Sequence, residues 1–154
     1  MPTSSWHGGQ TAGKKAARIM VVDDDADTLT ILSHHLKREG FVALQADSGA
    51  NCLRMVRENE VDVILLDLMM PEMDGFDVCR ALKAQAATAD IPIIMVTARD
   101  DIDARAEAMR LGVDGFLAKP VTRRQLVDTI TAQLDMIAAA RATDAALNRL
   151  QKKH

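Results

Sequence analysis

Short apolar runs alternate with amphipathic stretches along most of this chain, and that alternation constrains the fold more than any other feature. Arg18 to Val22, Val61 to Leu66, Ile91 to Val96 and Val113 to Ala118 are brief, mostly aliphatic segments of strand length. Their near-continuous apolarity predicts strands buried on both faces. Phe41 to Ala46, interrupted by Gln45, reads as a more weakly apolar edge strand. Helix signals lie between these runs. Leu29, Leu32 and Leu36 share a face of a segment that opens in an acidic cluster and stops at Gly40. Ser48 can cap a helix burying Leu53 and Val56, and Phe76, Cys79 and Leu82 form a third stripe. Ile102, Ala106, Met109 and Leu111 mark a fourth, stopping at Gly112, and Thr122 with Gln125 makes a capping box that opens the last helix. Strand followed by helix, five times over, requires right-handed crossovers. The expected architecture is α/β, a doubly wound (βα)5 parallel sheet covered on both faces.

A chain of 154 residues, 48% of them hydrophobic, suffices for one compact domain with a real core. Its formal net charge of -3 provides no global basic field, so direct nucleic-acid binding is not expected. Cys52 and Cys79 lack metal-ligand spacing and read as packed thiols in a reducing compartment. No apolar run approaches the roughly 18 residues of a membrane span, and residues 1–17 lack the apolar core of a signal peptide, so a cytoplasmic location is expected. Residues 1–17, rich in Ser, Gly, Thr and Lys and carrying Trp6, read as a disordered leader.

Polar residues follow four of the apolar runs immediately. Asp23, Asp24 and Asp25 follow the first, Asp67 the third, Thr97 the fourth and Lys119 the fifth. In a parallel sheet these positions share the carboxyl edge, where open α/β sheets bind ligands. Each alone has a plain explanation, since Asp after a strand commonly caps a helix. Their conjunction points to chemistry. Asp23, Asp24 and Asp67 would crowd negative charges together unless a cation intervened. Mg2+ suits carboxylate and phosphate oxygens, and Lys119 adds a second positive charge, so the site is suited to a phosphoryl group. Val-Val-Asp-Asp-Asp stands where a dinucleotide-binding glycine loop would be, which disfavours a nicotinamide cofactor.

Over about residues 18–139 the sequence resembles the receiver domain of bacterial two-component response regulators. The resemblance rests on Val-Val-Asp-Asp-Asp at 21–25, Asp-Leu-Met-Met-Pro-Glu-Met-Asp-Gly at 67–75, Val-Thr-Ala at 96–98 and Phe-Leu-Ala-Lys-Pro at 116–120. It implies a flavodoxin-like sheet with strand order 2-1-3-4-5. It makes Asp67 the phosphoacceptor, Asp24 a direct Mg2+ ligand and Asp23 an acid that positions a metal-bound water and faces Lys119. Met69 would give the metal its backbone carbonyl, and Thr97 and Phe116 would form a switch pair altering the α4-β5-α5 surface. Phe116 lacks the hydroxyl of a tyrosine. The phosphodonor would be a sensor histidine kinase or a phosphotransfer protein, and the downstream effector stays unnamed. The resemblance also suggests a cis Lys119–Pro120 peptide. In these terms the chain is a phosphoacceptor that promotes its own aspartyl phosphorylation and slow dephosphorylation, rather than a turnover enzyme. An Asp-dependent phosphatase would carry D-x-D after its first strand, whereas the residue two beyond Asp67 is Met69. A pseudo-receiver acting only by interaction would not be expected to keep Asp23, Asp24, Asp67, Thr97 and Lys119 together.

Several residues carry plainer expectations. His34 and His35 read as surface histidines, Met69, Met70 and Met73 as packing at the edge of the core, and Asp74-Gly75 as a tight turn before the third helix. The last helix, opening at Thr122, buries Leu126, Ile130, Leu134 and Ile137 and should continue through an Ala-rich stretch without Pro or Gly. Residues 140–154 have two readings, a helical extension or a linker stub, and are too few for an effector domain, so the chain is either a stand-alone shuttle or the front of a longer regulator. Ala132, Met136, Ala139, Thr143, Ala146 and Leu150 trace a thin seam that could pair two copies and couple phosphorylation to dimerisation.

Overall fold

The computed structural model describes residues 15–152. The leader expected at 1–17, including Trp6, therefore lies mostly outside the described residues. Five strands, β1 (Arg18–Val22), β2 (Val42–Ala46), β3 (Val63–Leu66), β4 (Ile93–Thr97) and β5 (Gly115–Ala118), alternate with α1 (Ala26–Arg38), α2 (Gly49–Glu58), α3 (Gly75–Lys83), α4 (Ile102–Arg110) and α5 (Arg123–Lys152). The strands form one sheet in the order β2-β1-β3-β4-β5, with every pairing parallel. This is the doubly wound, flavodoxin-like arrangement expected. α5, at 30 residues, also runs on as expected.

Two cores sandwich the sheet. Ile19, Val21, Val63, Leu65 and Ile94 point to one side, beneath Leu29, Leu32 and Leu36 of α1 and Leu126, Ile130 and Leu134 of α5. Met20, Ile64, Leu66, Ile93 and Met95 point to the other, beneath Cys52 of α2, Val78, Cys79 and Leu82 of α3, and Ala108 of α4. The alternation within each strand supplies both layers, and this explains why β1, β3 and β4 read as continuous apolar runs. β5 departs from that expectation. It is half-buried throughout because it forms the second edge of the sheet.

Capping explains the helix starts. The side chains of Asp25, Ser48, Asp74 and Asp101 accept backbone N–H bonds at the N-termini of α1 to α4. Thr122 and Gln125 form the expected reciprocal cap of α5, at 2.9 and 3.1 Å. Gly40, with φ of 90°, takes the left-handed conformation that follows α1.

Three helix faces differ from the sequence reading. α2 buries Cys52, with Leu53 and Val56 only partly covered at its flank. α3 centres on Val78, Cys79 and Leu82 while Phe76 is partly buried. The α4 stripe is reversed: Ile102 is 86% and Met109 77% exposed, and Ala104 and Ala108 face the sheet. The two alanines repeat four residues apart as well, so the buried face of α4 is lined by small side chains. A periodicity argument weighted by side-chain size selects the wrong face.

Candidate functional site

The carboxyl edge of the sheet gathers the residues singled out in the sequence. Asp23 follows β1, and its backbone N–H donates to the Ala46 carbonyl at 3.1 Å; Asp67 follows β3 and donates to the Val22 carbonyl at 2.9 Å. These bonds extend the parallel ladder and bring both carboxylates to the same crevice. Lys119, after β5, donates its backbone N–H to the Thr97 carbonyl at 2.9 Å, so the end of β4 places the lysine. The Lys119–Pro120 peptide is cis.

The side chains converge from there. Lys119 Nζ donates to Asp23 Oδ2 at 2.7 Å and to Asp67 Oδ2 at 3.3 Å, across 96 and 52 positions of sequence. Asp23 Oδ1 accepts the Asp25 N–H at 2.9 Å, and Asp67 Oδ1 accepts the Met69 N–H at 3.3 Å. Carboxylate oxygens of Asp23, Asp24 and Asp67 all lie within 4.8 Å of one another. Asp23 and Asp67 are buried, whereas Asp24 is exposed. Thr97 is fully buried, and its Oγ1 accepts the Arg99 N–H at 3.2 Å.

Burial, and then the neighbouring Asp23 carboxylate, push the Asp67 carboxyl above its ordinary range, against the opposing pull of Lys119. Burial by itself would lower the Lys119 pKa; hydrogen bonding and attraction to Asp23 and Asp67 outweigh it and hold the ammonium above its ordinary value. Asp23 and Asp67 thus share one ammonium, with the exposed Asp24 carboxylate close to both. Their hard oxygen donors at this spacing fit a divalent cation such as Mg2+.

Two further relationships were missed in the sequence. The guanidinium of Arg105, from α4, stacks over the half-buried Phe116 ring at 4.5 Å and also pairs with Asp100. A Cβ at Gly75 would stand 2.5 Å from the Asp67 carbonyl oxygen, so the start of α3 presses on the loop that carries Asp67. Among the methionines, Met70 packs at the core edge as expected, but Met69 is 58% exposed. It lines a cleft with Leu68, Met70, Asp74 and Arg99.

The fold and this edge define a class, the phosphoryl-accepting receivers, and comparison with known proteins agrees. Residues 19–131 match the family model described as the response regulator receiver domain, and the chain belongs to that family. Accepting a phosphoryl group is that family's function in two-component signalling. The chain is similar to the transcriptional regulatory protein PrrA of Mycobacterium tuberculosis, at 38% identity over 122 residues, covering 79% of this chain and 52% of PrrA. It is likewise similar to the DNA-binding response regulator MtrA of Mycobacterium leprae, at 40% identity over 117 residues, covering 76% of this chain and 51% of MtrA. It thus spans about half the length of these curated relatives. Among solved structures, a response regulator receiver domain protein from Clostridium thermocellum aligns with a TM-score of 0.75 and 31% identity, covering 80% of this chain and 98% of the other. The chemotaxis response regulator CheY4 of Vibrio cholerae aligns at 0.72 with 29% identity, covering 76% and 98%.

Proposed function

We propose that Asp67 is the phosphoacceptor, with Asp24 and Asp67 holding Mg2+ through their carboxylates, Met69 through its backbone carbonyl, and Asp23 positioning a metal-bound water. The observation that carries this reading is the reach of Lys119 Nζ to both Asp23 and Asp67 at the carboxyl edge. Bound there, Mg2+ would supply positive charge to the phosphoryl oxygens and neutralise the carboxylate cluster.

Asp67 attacks the phosphorus of a phosphohistidine, or of a small acyl phosphate, in line. The P–N or P–O bond to the donor breaks as the aspartyl P–O bond forms. Lys119 stabilises charge on the transferred group. The Thr97 hydroxyl then turns toward a phosphoryl oxygen, and Phe116 rotates into the space it leaves, which reshapes the α4-β5-α5 surface. Turnover of the aspartyl phosphate is slow, because Met69 cannot orient an attacking water by hydrogen bonding.

A sensor histidine kinase or a phosphotransfer protein supplies the phosphoryl group. A groove of about 370 Å³ beside Lys119, lined by Thr28, Ile31, Leu32, Pro120 and Val121, offers such a donor an apolar seat next to the acceptor. Among the described residues no helix is long and apolar enough to cross a membrane. The free, buried Cys52 and Cys79 support action in the reducing cytoplasm. Acetyl phosphate should label the purified protein once, with an acid-stable and base-labile group, in the presence of Mg2+ only. Asp67→Asn should abolish the label; a label that persists in that variant overturns the assignment.

A further inference from the structure

A cleft of about 470 Å³ opens at the amino edge of the sheet, opposite the edge that holds Asp67. Val61 and Asp62, just before β3, and Ile91 and Pro92, just before β4, line it from the sheet. Leu134, Ile137 and Ala140 line it from α5. The carboxylates of Asp62, Asp90 and Asp144 share the lining with one cation, Arg141. Asp90, Asp144 and Arg141 are exposed, and Asp62 is half-buried. Nothing in the chemistry proposed at Asp67 uses this cleft.

The chain enters the fold beside it. The Arg18 N–H donates to Asp62 Oδ2 at 2.7 Å, and the Asp62 N–H donates to the Arg18 carbonyl at 2.8 Å, so the start of β1 is tied to a lining residue. Lys15 Nζ pairs with Glu60 Oε1 at 3.7 Å, and Glu60 precedes the lining residue Val61. The 14 residues ahead of Lys15, which lie outside the described residues, therefore join the body at this edge. They contain Trp6, the only tryptophan of the chain, and residues 1–15 carry Lys14 and Lys15 but no acid. Trp6 stands nine positions before Lys15, a span of at most about 30 Å. β1 and β4 both flank β3, and neighbouring strands lie about 4.8 Å apart, so the cleft is well within that reach.

The lining suits an indole borne on such a segment. Val61, Pro92, Leu134 and Ile137 offer apolar cover, and the carboxylates offer the acceptor that a buried indole N–H requires. The Arg141 guanidinium is a stacking partner for the ring face. The acidic majority of the lining complements the lysines of the segment. We propose that residues 1–14 dock in this cleft of their own chain, with Trp6 seated between α5 and the starts of β3 and β4, in place of the disordered leader expected from composition. So seated, Trp6 braces α5 just before Ala138, from which point to Lys152 every residue except Ala146 is exposed. The inference does not depend on the identity of the phosphoacceptor.

With one tryptophan and no tyrosine in the chain, intrinsic fluorescence reads the position of Trp6 directly. Emission of the full chain should lie to the blue of that of a peptide of residues 1–15, and acrylamide should quench it several-fold less. Both differences should be independent of protein concentration. Ala87→Arg with Ala140→Arg, at two exposed lining positions, should fill the cleft with like charge and return both readings to those of the peptide. Far-UV circular dichroism checks that this variant is folded. Should it fail to fold, Asp90→Lys with Asp144→Lys, also exposed, should raise the quenching by repelling the leader. Peptide-like emission and quenching in the parent chain overturn the proposal. Protection that survives in a folded double variant places Trp6 elsewhere and overturns it too, and protection lost on dilution assigns the indole to a second copy instead of its own chain.

Discussion

Gly75 and Asp67 are in contact through backbone alone: a Cβ at Gly75 would stand 2.5 Å from the Asp67 carbonyl oxygen and 2.8 Å from Leu68 Cα. The Gly75 N–H also donates to the Leu68 carbonyl at 2.8 Å. The start of α3 therefore sets the height of the loop that carries Asp67. Gly75→Ala should shift that loop, lower stability by about 1–3 kcal/mol as overpacking does, and slow acetyl phosphate labelling. Chemical denaturation and labelling rate measure the two effects separately. Unchanged labelling in a folded Gly75→Ala protein would show that the loop is placed by other contacts.

Asp67→Asn should raise stability at neutral pH in the presence of a chelator. The sign follows from the raised Asp67 pKa, caused first by burial and then by Asp23. A carboxyl whose folded-state pKa lies above its unfolded value binds its proton more tightly in the folded state. Ionised Asp67 therefore opposes folding at neutral pH, and the opposition fades as pH falls through the folded-state pKa. The amide removes that charge. Its thermal midpoint should exceed the parent's in chelator, and the gap should narrow on adding Mg2+, which stabilises the parent more. A lower midpoint for Asp67→Asn in chelator would mean that the attraction of Lys119 outweighs burial.

Most of the fold and nearly all the candidate site were legible in the sequence, for one physical reason. The parallel sheet carries every strand end to one edge, so Asp23, Asp67, Thr97 and Lys119 could be brought together by counting strands. Strand ends were less legible. Val61 and Asp62 precede β3, where Asp62 instead accepts the Arg18 N–H at 2.7 Å, and Pro92 cannot donate to the ladder at the start of β4. α4 misled because its buried face is alanine while Ile102 and Met109 face outward. Arg105 over Phe116 left no sequence signal, since a contact between a helix flank and a neighbouring strand has no fixed spacing.

The two cysteines should resist alkylation in the native protein. Burial pushes the Cys52 thiol up to about 12 and raises Cys79 as well. At pH 8 a thiol of that pKa is ionised to roughly one part in 10⁴, and only the thiolate reacts. Iodoacetamide should therefore modify Cys52 only as the protein unfolds, with the rate rising through the denaturation transition. Rapid modification under native conditions would show that α2 opens locally.

The lifetime of the aspartyl phosphate should depend on Met69 and Arg99. Both side chains line the cleft beside Asp67, and Arg99 Nε is held by Asp101 Oδ2 at 2.9 Å. Neither side chain is suited to orienting a water for attack on phosphorus. Met69→Asn with Arg99→Glu supplies an amide and a carboxylate in their place, and should speed loss of phosphate after the donor is removed. No acceleration would place control of water access elsewhere.

Arg105 should bias the switch proposed at Phe116. Its guanidinium lies 4.5 Å from the ring centroid and is held in place by Asp100, in the loop after β4. Inward rotation of Phe116 gives up that stacking, worth about 0.5–1 kcal/mol at an exposed site. Arg105→Ala removes the contact only from the outward state, so it should raise the inward-to-outward ratio by roughly two- to fivefold at the same energy. Aromatic NMR of the unphosphorylated protein reads that ratio directly. Asp100→Asn should give a smaller change in the same direction, because it frees the guanidinium without deleting it. An unchanged ring position in Arg105→Ala would show that core packing around β5, rather than the cation, sets the orientation of Phe116.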